Sequence, residues 1–115
     1  MISICWLEDS SHRVGFICEG HAGYREPGET DEVCAAITAL AGNLVTAWTD
    51  ILNLDVTYQF ESGLLYGRIE KTEEISQETW DKADLLLESF ILGCKQIELS
   101  YGNQYISVTE PRRIA

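Results

Sequence analysis

Residues 14–48 read VGFICEGHAGYREPGETDEVCAAITALAGNLVTAW, and the pattern of this stretch changes twice. In residues 14–19, Val14, Phe16 and Cys18 alternate with other side chains, a period of two that is typical of a β-strand. Residues 20–30 contain three glycines and a proline, which interrupt regular structure and predict a long, mobile loop. From residue 31 onward, apolar residues recur at helical spacing. The stretch therefore predicts a strand, a loop and a helix in succession.

The helix is predicted to begin at an N-cap supplied by Thr30 or Asp31, because both side chains carry an oxygen that can accept a hydrogen bond from the first turn. It is predicted to end near Asn53. Its apolar positions are Val33, Ile37, Leu40, Ala41, Leu44, Trp48, Ile51 and Leu52. Small residues elsewhere on the helix would allow another element to approach closely.

The rest of the chain predicts two hairpins, a second helix and a closing strand. Residues 2–7 alternate and should pair with residues 14–19, and His12 in the turn between them is expected to be solvated. The second hairpin, the second helix and the last strand are predicted over residues 56–69, from N-cap Ser76 to Gly102, and over residues 105–108. We expect a single α+β domain over residues 1–115, in the order ββαββαβ, with one sheet covered by two helices.

The charge of the chain limits its partners. Nineteen acidic residues outnumber eight basic ones, which gives a net charge of −11 and a pI of about 4.4. Such an excess repels phosphate backbones, so direct nucleic-acid binding is not expected, whereas a basic protein or peptide would be attracted. No apolar run approaches the roughly 20 residues of a membrane span, and the N-terminus lacks the features of a signal peptide. We therefore expect a cytoplasmic protein that makes no membrane contact.

Four cysteines stand at positions 5, 18, 34 and 94. None forms a C-x-x-C pair, so neither a zinc ribbon nor a thioredoxin-like site is indicated. Cys5, Cys18 and Cys94 fall in predicted strands and a helix, where free cysteines are usually small buried apolar residues. Cys34 differs because of its position.

Cys34 lies in the first turn of the predicted helix, where unpaired N–H groups and the helix dipole favour a thiolate over a thiol. The thiolate is the form that attacks, so this position suits a nucleophile. Glu29, Asp31 and Glu32 flank it, and their negative charges oppose ionisation of the thiol.

A cysteine nucleophile needs a base, and His21 is the candidate. A loop of about ten residues separates His21 from the helix, and such a loop can bring the two side chains together. Gly20, Gly23 and Gly28 would let this loop fold over a bound peptide. Backbone N–H groups near Cys34 could bind an oxyanion. Asp31 could either orient the imidazole or cap the helix, and both roles remain open at this point.

Two other interpretations of the same residues remain open. Cys34 could be a small core cysteine while His21 hydrogen-bonds to backbone. Alternatively, both could bind zinc with a carboxylate, but a closed zinc site needs four ligands and no motif supplies them. We predict neither a metal nor a cofactor.

The segment Gly20-His21-Ala22, followed by a glycine-containing loop and by Gly28-x-x-Asp31-x-Val33-Cys34-Ala35-Ala36, resembles the signature of the bacterial ribosomal-processing cysteine proteases, the Prp family. The order of strands and helices is similar over nearly the whole chain. The resemblance implies that Cys34 is the nucleophile and His21 the general base. It also implies a homodimer, and an endopeptidase that removes the N-terminal extension of large-subunit ribosomal protein twenty-seven.

The chain departs from the family pattern in three places. The interval from His21 to Cys34 is one residue longer, Glu32 replaces an aliphatic residue, and Thr38 replaces a serine. The first two departures favour an alternative function, in which a non-catalytic acidic module binds a basic ribosomal protein or another partner.

Overall fold

The residues with alternating and helical patterns form the predicted strands and helices. The computed structural model describes residues 1–114. Its strands are β1 (Ile2–Glu8), β2 (Arg13–Glu19), β3 (Val56–Glu61), β4 (Leu64–Ile69), β5 (Ile106–Val108) and β6 (Arg112–Arg113). Its α-helices are α1 (Glu32–Thr46) and α2 (Gln77–Tyr101). The predicted order ββαββαβ is confirmed, and the two-residue strand β6 is an addition to it.

The strands form one sheet in the order β3-β4-β2-β1-β5. Both predicted hairpins are antiparallel pairs, and β2 also pairs with β4, which places Glu19 opposite Leu64. Both β5 and β6 pair with β1 in parallel, so β6 continues the same edge beyond β5. The pairing of β2 with β4 positions the second hairpin beside the end of β2, where the loop at residues 20–30 begins.

Both helices cover the same face of the sheet. Phe16 of β2 is fully buried, and its ring lies 6.2 Å from that of Trp48 and 5.0 Å from that of Phe90, between centroids. Trp48 lies in the helical segment that follows α1, and Phe90 belongs to α2. One residue of the sheet therefore contacts both helical segments. The prediction of an α+β fold with one sheet covered by two helices is confirmed.

The first helix ends in a widened turn. A π-helical segment, Ala47–Ile51, continues α1, and the N–H of Leu52 donates to the carbonyl of Ala47 at 3.2 Å. Asn53 then leaves the helix with a φ of +54°, in agreement with the predicted end. The widened turn itself was not predicted.

By length and composition alone, Glu32–Ile51 could cross a membrane, contrary to the expectation from the apolar runs. A core helix meets the same criterion. Here Val33, Ile37, Ala41, Leu44 and Trp48, at helical spacing, belong to the cluster of buried residues in the core. We therefore interpret this segment as a core helix.

The second helix is anchored at both ends and along its side. The hydroxyl of Ser76 accepts a hydrogen bond from the N–H of Thr79, as the predicted N-cap requires, and Gly102 ends the helix. Arg13 at the start of β2 binds Asp84 through two hydrogen bonds of 2.7 and 3.0 Å. His12 stacks on Trp80 with centroids 4.0 Å apart, and its Nδ1 is buried, so the expectation that it is solvated was wrong.

Replacing Trp48 should lower the stability of the whole domain. The Trp48 side chain is fully buried, and its indole N–H donates to the carbonyl of Ala83 on α2 at 3.2 Å. Trp48→Ala should therefore reduce the free energy of unfolding by about 3–5 kcal/mol, measured by urea denaturation. Asn43→Ala, at an exposed position of α1, is the control and should change it by less than about 0.5 kcal/mol. Equal effects of the two variants would contradict this account of the core.

Candidate active site

Cys34 is the third residue of α1, which begins at Glu32 behind the N-cap Asp31. The thiol therefore lies in the first turn of a 15-residue helix, and the residue is half-buried. The helix dipole at this end stabilises negative charge. The side chain thus combines access from solvent with a position at the positive end of the helix dipole.

The other three cysteines are buried. Burial raises the pKa of the Cys94 thiol to about 12, and it also raises the pKa values of Cys18 and Cys5. These three thiols are therefore neutral near pH 7, as expected for core cysteines. Among the four cysteines, Cys34 is the one with an exposed fraction large enough for chemistry with a dissolved partner.

A single carboxylate joins the loop to the helix. Oδ1 of Asp31 accepts hydrogen bonds from the N–H groups of Val33 at 2.9 Å and Cys34 at 3.1 Å. Oδ2 accepts from Tyr24 at 2.9 Å and Arg25 at 3.2 Å. Desolvation opposes ionisation of Asp31, but these four hydrogen bonds more than offset it, so its pKa lies below the ordinary value. Asp31 therefore caps the helix and holds the preceding loop with the same group.

These contacts change one expectation about the oxyanion. The side chain of Asp31 accepts hydrogen bonds from the N–H groups of Val33 and Cys34. The main-chain carbonyl of Asp31 accepts from the N–H of Ala35 at 2.9 Å. The backbone N–H groups around Cys34 are therefore engaged in this conformation. The sequence-based expectation that they could bind an oxyanion does not fit these contacts, since a bound oxyanion would have to displace Asp31.

A second contact between loop and helix involves Arg25 and Glu32. The guanidinium of Arg25 binds both carboxylate oxygens of Glu32, each at 2.7 Å, and lies 5.1 Å from the ring centroid of Tyr24. The hydrogen bond from Arg25 lowers the pKa of Glu32. The negative charge of Glu32, two residues before Cys34 in the chain, is therefore paired with the positive charge of Arg25.

His21 and Cys34 line the same cleft, which has a volume of about 140 Å³. His21 follows β2 and is exposed. Thr38, one turn after Cys34, also lines the cleft and donates its hydroxyl hydrogen to the carbonyl of Cys34 at 2.8 Å. The other lining residues are Ile2, Cys18, Gly20, Ile37 and the segment 61–65.

The turn between β3 and β4 forms one wall of the cleft, which the sequence analysis missed. The N–H of Gly20 donates to the carbonyl of Gly63 at 2.9 Å, so the turn is tied to the end of β2. A Cβ atom on Gly63 would lie 3.0 Å from Nε2 of His21, and the φ of Gly63 is +79°. Gly63 therefore leaves the space that the imidazole occupies. The turn reaches the cleft because β2 pairs with β4, so no local sequence motif could have indicated that it lines the site.

The three predicted loop glycines have positive φ values, which glycine adopts without steric cost. Gly20, Gly23 and Gly28 have φ values of +101°, +70° and +89°. Gly20 lines the cleft, whereas Gly23 and Gly28 lie farther along the loop and do not line it. Over residues 1–114, the structure contains no group of three or more His, Cys, Asp or Glu side chains that could hold a metal ion.

Comparisons with known proteins agree on one family. A family model described as "Cysteine protease Prp" matches residues 1–107. The ribosomal processing cysteine protease Prp of Bacillus subtilis (strain 168) is 31% identical over 88 residues, which cover 76% of this chain and 78% of that protein.

Two crystal structures share the fold. The ribosomal processing protease Prp from S. aureus, solved with a covalently linked product peptide, is 24% identical with a TM-score of 0.74. The match covers 96% of this chain and 99% of that one. SMU.848 from Streptococcus mutans is 27% identical with a TM-score of 0.72, over 97% of this chain and 95% of that one.

Replacing Asp31 should weaken the attachment of the loop to the helix. Asp31→Asn keeps the Oδ1 acceptor that caps the helix but replaces Oδ2 by an amide group that cannot accept from Tyr24 and Arg25, so it should lower the free energy of unfolding by about 1 kcal/mol at neutral pH and speed amide hydrogen exchange at these two residues. Because the pKa of Asp31 is lowered on folding, its contribution is present above the ordinary aspartate pKa of about 3.9. The difference from the unsubstituted chain should disappear as the pH falls through the folded-state pKa. Glu74→Gln, at an exposed connector residue, is the control, and equal effects of the two changes would argue against this role.

Adding a methyl group at Gly63 should displace the imidazole of His21. Gly63→Ala should shift the imidazole NMR resonances of His21 and cost about 1–2 kcal/mol in backbone strain. Gly28→Ala is the matched control, because Gly28 also has a positive φ but a Cβ there would meet no atom within 4 Å. Similar His21 spectra in the two variants would show that Gly63 does not limit the imidazole position.

Proposed function

Because the chain belongs to the ribosomal-processing cysteine protease (Prp) family, we propose that it is a cysteine endopeptidase with Cys34 as nucleophile and His21 as general base. The observation that carries this proposal is the shared cleft. Cys34, at the N-terminus of α1, and His21, at the end of β2, line one cavity, while the other three thiols are buried. A thiol and an imidazole on one cavity are the two groups that nucleophilic catalysis by cysteine requires.

The chemistry follows the usual order of acyl transfer. The Cys34 sulfur attacks the carbonyl carbon of the scissile bond while the proton of the thiol passes to His21. The C–N bond then breaks, the departing amine takes the proton from His21, and an acyl-thioester remains on Cys34. A water molecule then attacks the thioester while its proton passes to His21, the C–S bond breaks, and His21 returns the proton to the sulfur, which restores the free thiol. Each step uses groups that this chain supplies, without a cofactor.

The proposed substrate is the N-terminal extension of large-subunit ribosomal protein twenty-seven. The B. subtilis relative is a ribosomal processing protease, and the S. aureus relative was solved with peptides bound. The net charge of −11 suits a basic ribosomal protein as partner. We propose that the reaction takes place in the cytoplasm, where ribosomes assemble.

We also propose that the protein acts as a homodimer, which the outer face of α2 supports. Leu85, Leu92 and Leu99 lie seven residues apart and are 70%, 54% and 87% exposed. Such spacing forms an apolar stripe along a helix, and an antiparallel second copy centred on Leu92 could cover it. The stripe lies opposite the buried face of α2, so pairing there would leave the core unchanged.

Replacing the nucleophile tests the activity directly. The substrate is a synthetic peptide that covers the N-terminal extension and first mature residues of ribosomal protein twenty-seven from the same genome. Cys34→Ser should lower kcat/KM for its cleavage by more than about a thousandfold, because the serine hydroxyl is a far weaker nucleophile at neutral pH. Cys94→Ala, at a buried cysteine, should retain catalysis at conditions where the variant is folded.

Cleavage by Cys34→Ser at the unsubstituted rate would refute the proposed mechanism. If the unsubstituted chain binds the peptide without cleaving it, the protein is instead a binding module for a basic partner. The pairing of Glu32 with Arg25 removes part of the argument for that alternative, because the acidic neighbour of Cys34 is neutralised.

A further inference from the structure

The ring of Tyr24 joins the loop after His21 to the C-terminal end of α2. Its centroid lies 5.1 Å from that of Tyr101 and 5.1 Å from that of Tyr105, with interplanar angles of 88° and 83°. Tyr101 is the last residue of α2, and Tyr105 directly precedes β5. Edge-to-face pairs of this kind are favourable contacts between aromatic rings. The ring of Tyr24 is therefore held by two rings that belong neither to the loop nor to α1.

The residues on both sides of His21 are fixed, although its own side chain is exposed. On one side, the N–H of Gly20 donates to the carbonyl of Gly63 at 2.9 Å. On the other side, Ala22 is buried in the core with an exposed fraction of 3%. Tyr24 follows two residues later and packs against the same core. The direction in which the imidazole leaves the backbone is therefore set by its neighbours, and the ring of Tyr24 is the largest of their side chains.

Tyr24 is also joined to the helix of Cys34 through one carboxylate. The N–H of Tyr24 donates to Oδ2 of Asp31 at 2.9 Å, and Oδ1 of the same group accepts from the N–H of Cys34 at 3.1 Å. Tyr24 is thus three residues from His21 along the chain and is linked to the backbone of Cys34 by two hydrogen bonds. A displacement of Tyr24 would therefore move the two side chains relative to each other.

We propose that Tyr24 is a positioning residue, which holds His21 in the orientation that proton transfer from Cys34 requires. The inference rests on the proposed function, because these two side chains are the proposed base and nucleophile. Tyr24 does not line the cleft, so it acts on the site through the backbone of the loop. Reacting groups tolerate little displacement, since a shift of about 1 Å can lower the rate about a hundredfold.

The test removes the aromatic contacts while it keeps an apolar side chain. Tyr24→Leu lacks the ring, whereas Tyr24→Phe keeps the ring and loses only the hydroxyl group. Tyr101→Leu removes one of the contacts from the side of α2. Tyr58→Leu is the matched control, because Tyr58 is a tyrosine of β3 that is 61% exposed and whose ring pairs with Phe60 instead.

Two readouts separate positioning from a purely structural role. Under conditions where each variant is folded, kcat and KM are measured with the ribosomal-protein peptide, and the imidazole NMR resonances of both histidines are recorded. Tyr24→Leu should lower kcat about tenfold to a hundredfold, leave KM within about twofold, and shift the resonances of His21. The resonances of His12, which stacks on Trp80 before β2, should not move. Tyr24→Phe should restore both readouts.

Tyr101→Leu should also lower kcat, and the double variant that carries both leucines should be no slower than Tyr24→Leu alone, because the second change removes a contact that is already lost. If Tyr24→Leu does not fold, Tyr101→Leu, at a position that is 37% exposed, carries the same test. An unchanged kcat, or His21 resonances that do not move, would overturn the inference. A rise in KM at constant kcat, or equal effects of Tyr58→Leu, would also overturn it.

The NMR readout distinguishes a failure of this inference from a failure of the proposed function, because it needs no cleavage. If the unsubstituted chain does not cleave the peptide, the proposed catalysis is refuted. A shift of the His21 resonances in Tyr24→Leu then still supports the positioning role, and the absence of a shift overturns it. If the unsubstituted chain cleaves the peptide and Tyr24→Leu cleaves it equally fast, this inference alone is refuted.

Discussion

The candidate site depends on the carboxylate of Asp31, because it fixes the loop that follows His21 relative to the helix that carries Cys34. One oxygen caps the helix at Cys34, and the other holds the backbone of the loop at Tyr24 and Arg25. A loop rich in glycine would otherwise have many conformations available. The four hydrogen bonds to this half-buried residue replace that freedom with a defined path from His21 to α1. The same contacts occupy the amides at the start of α1, so a ligand that needs those amides must move the loop.

The sheet contributes the opposite wall of the cleft. Because β2 lies between β1 and β4, the end of β2 meets the turn of the second hairpin, and Gly63 then faces His21. The cleft is therefore bounded by elements that are far apart in the chain: the loop, the first turn of α1 and the turn between β3 and β4. One side of the cleft is therefore formed by the paired strands β3 and β4 with their turn, and the other side by the loop and the start of α1, which the ion pair between Arg25 and Glu32 joins.

Much of this organisation could be predicted from local patterns. The periods of two and of 3.6, the N-caps at Asp31 and Ser76 and the glycine-rich loop give the order of elements and place Cys34 in a first turn. Features that depend on contacts between distant residues could not be predicted. The spacing of residues along the chain does not indicate three such contacts: the pairing of β2 with β4, the stacking of His12 on Trp80 and the ion pair between Arg25 and Glu32.

The central proposal is that Cys34 is the nucleophile and that His21 activates it. The most direct measurement is the rate at which iodoacetamide alkylates each cysteine at neutral pH, followed by mass spectrometry in the folded and the urea-unfolded chain. The account predicts that Cys34 in the folded chain reacts faster than the other three thiols and faster than Cys34 in the unfolded chain, and that His21→Ala slows it. If folding does not accelerate the alkylation of Cys34, or if His21→Ala leaves its rate unchanged, the account is contradicted.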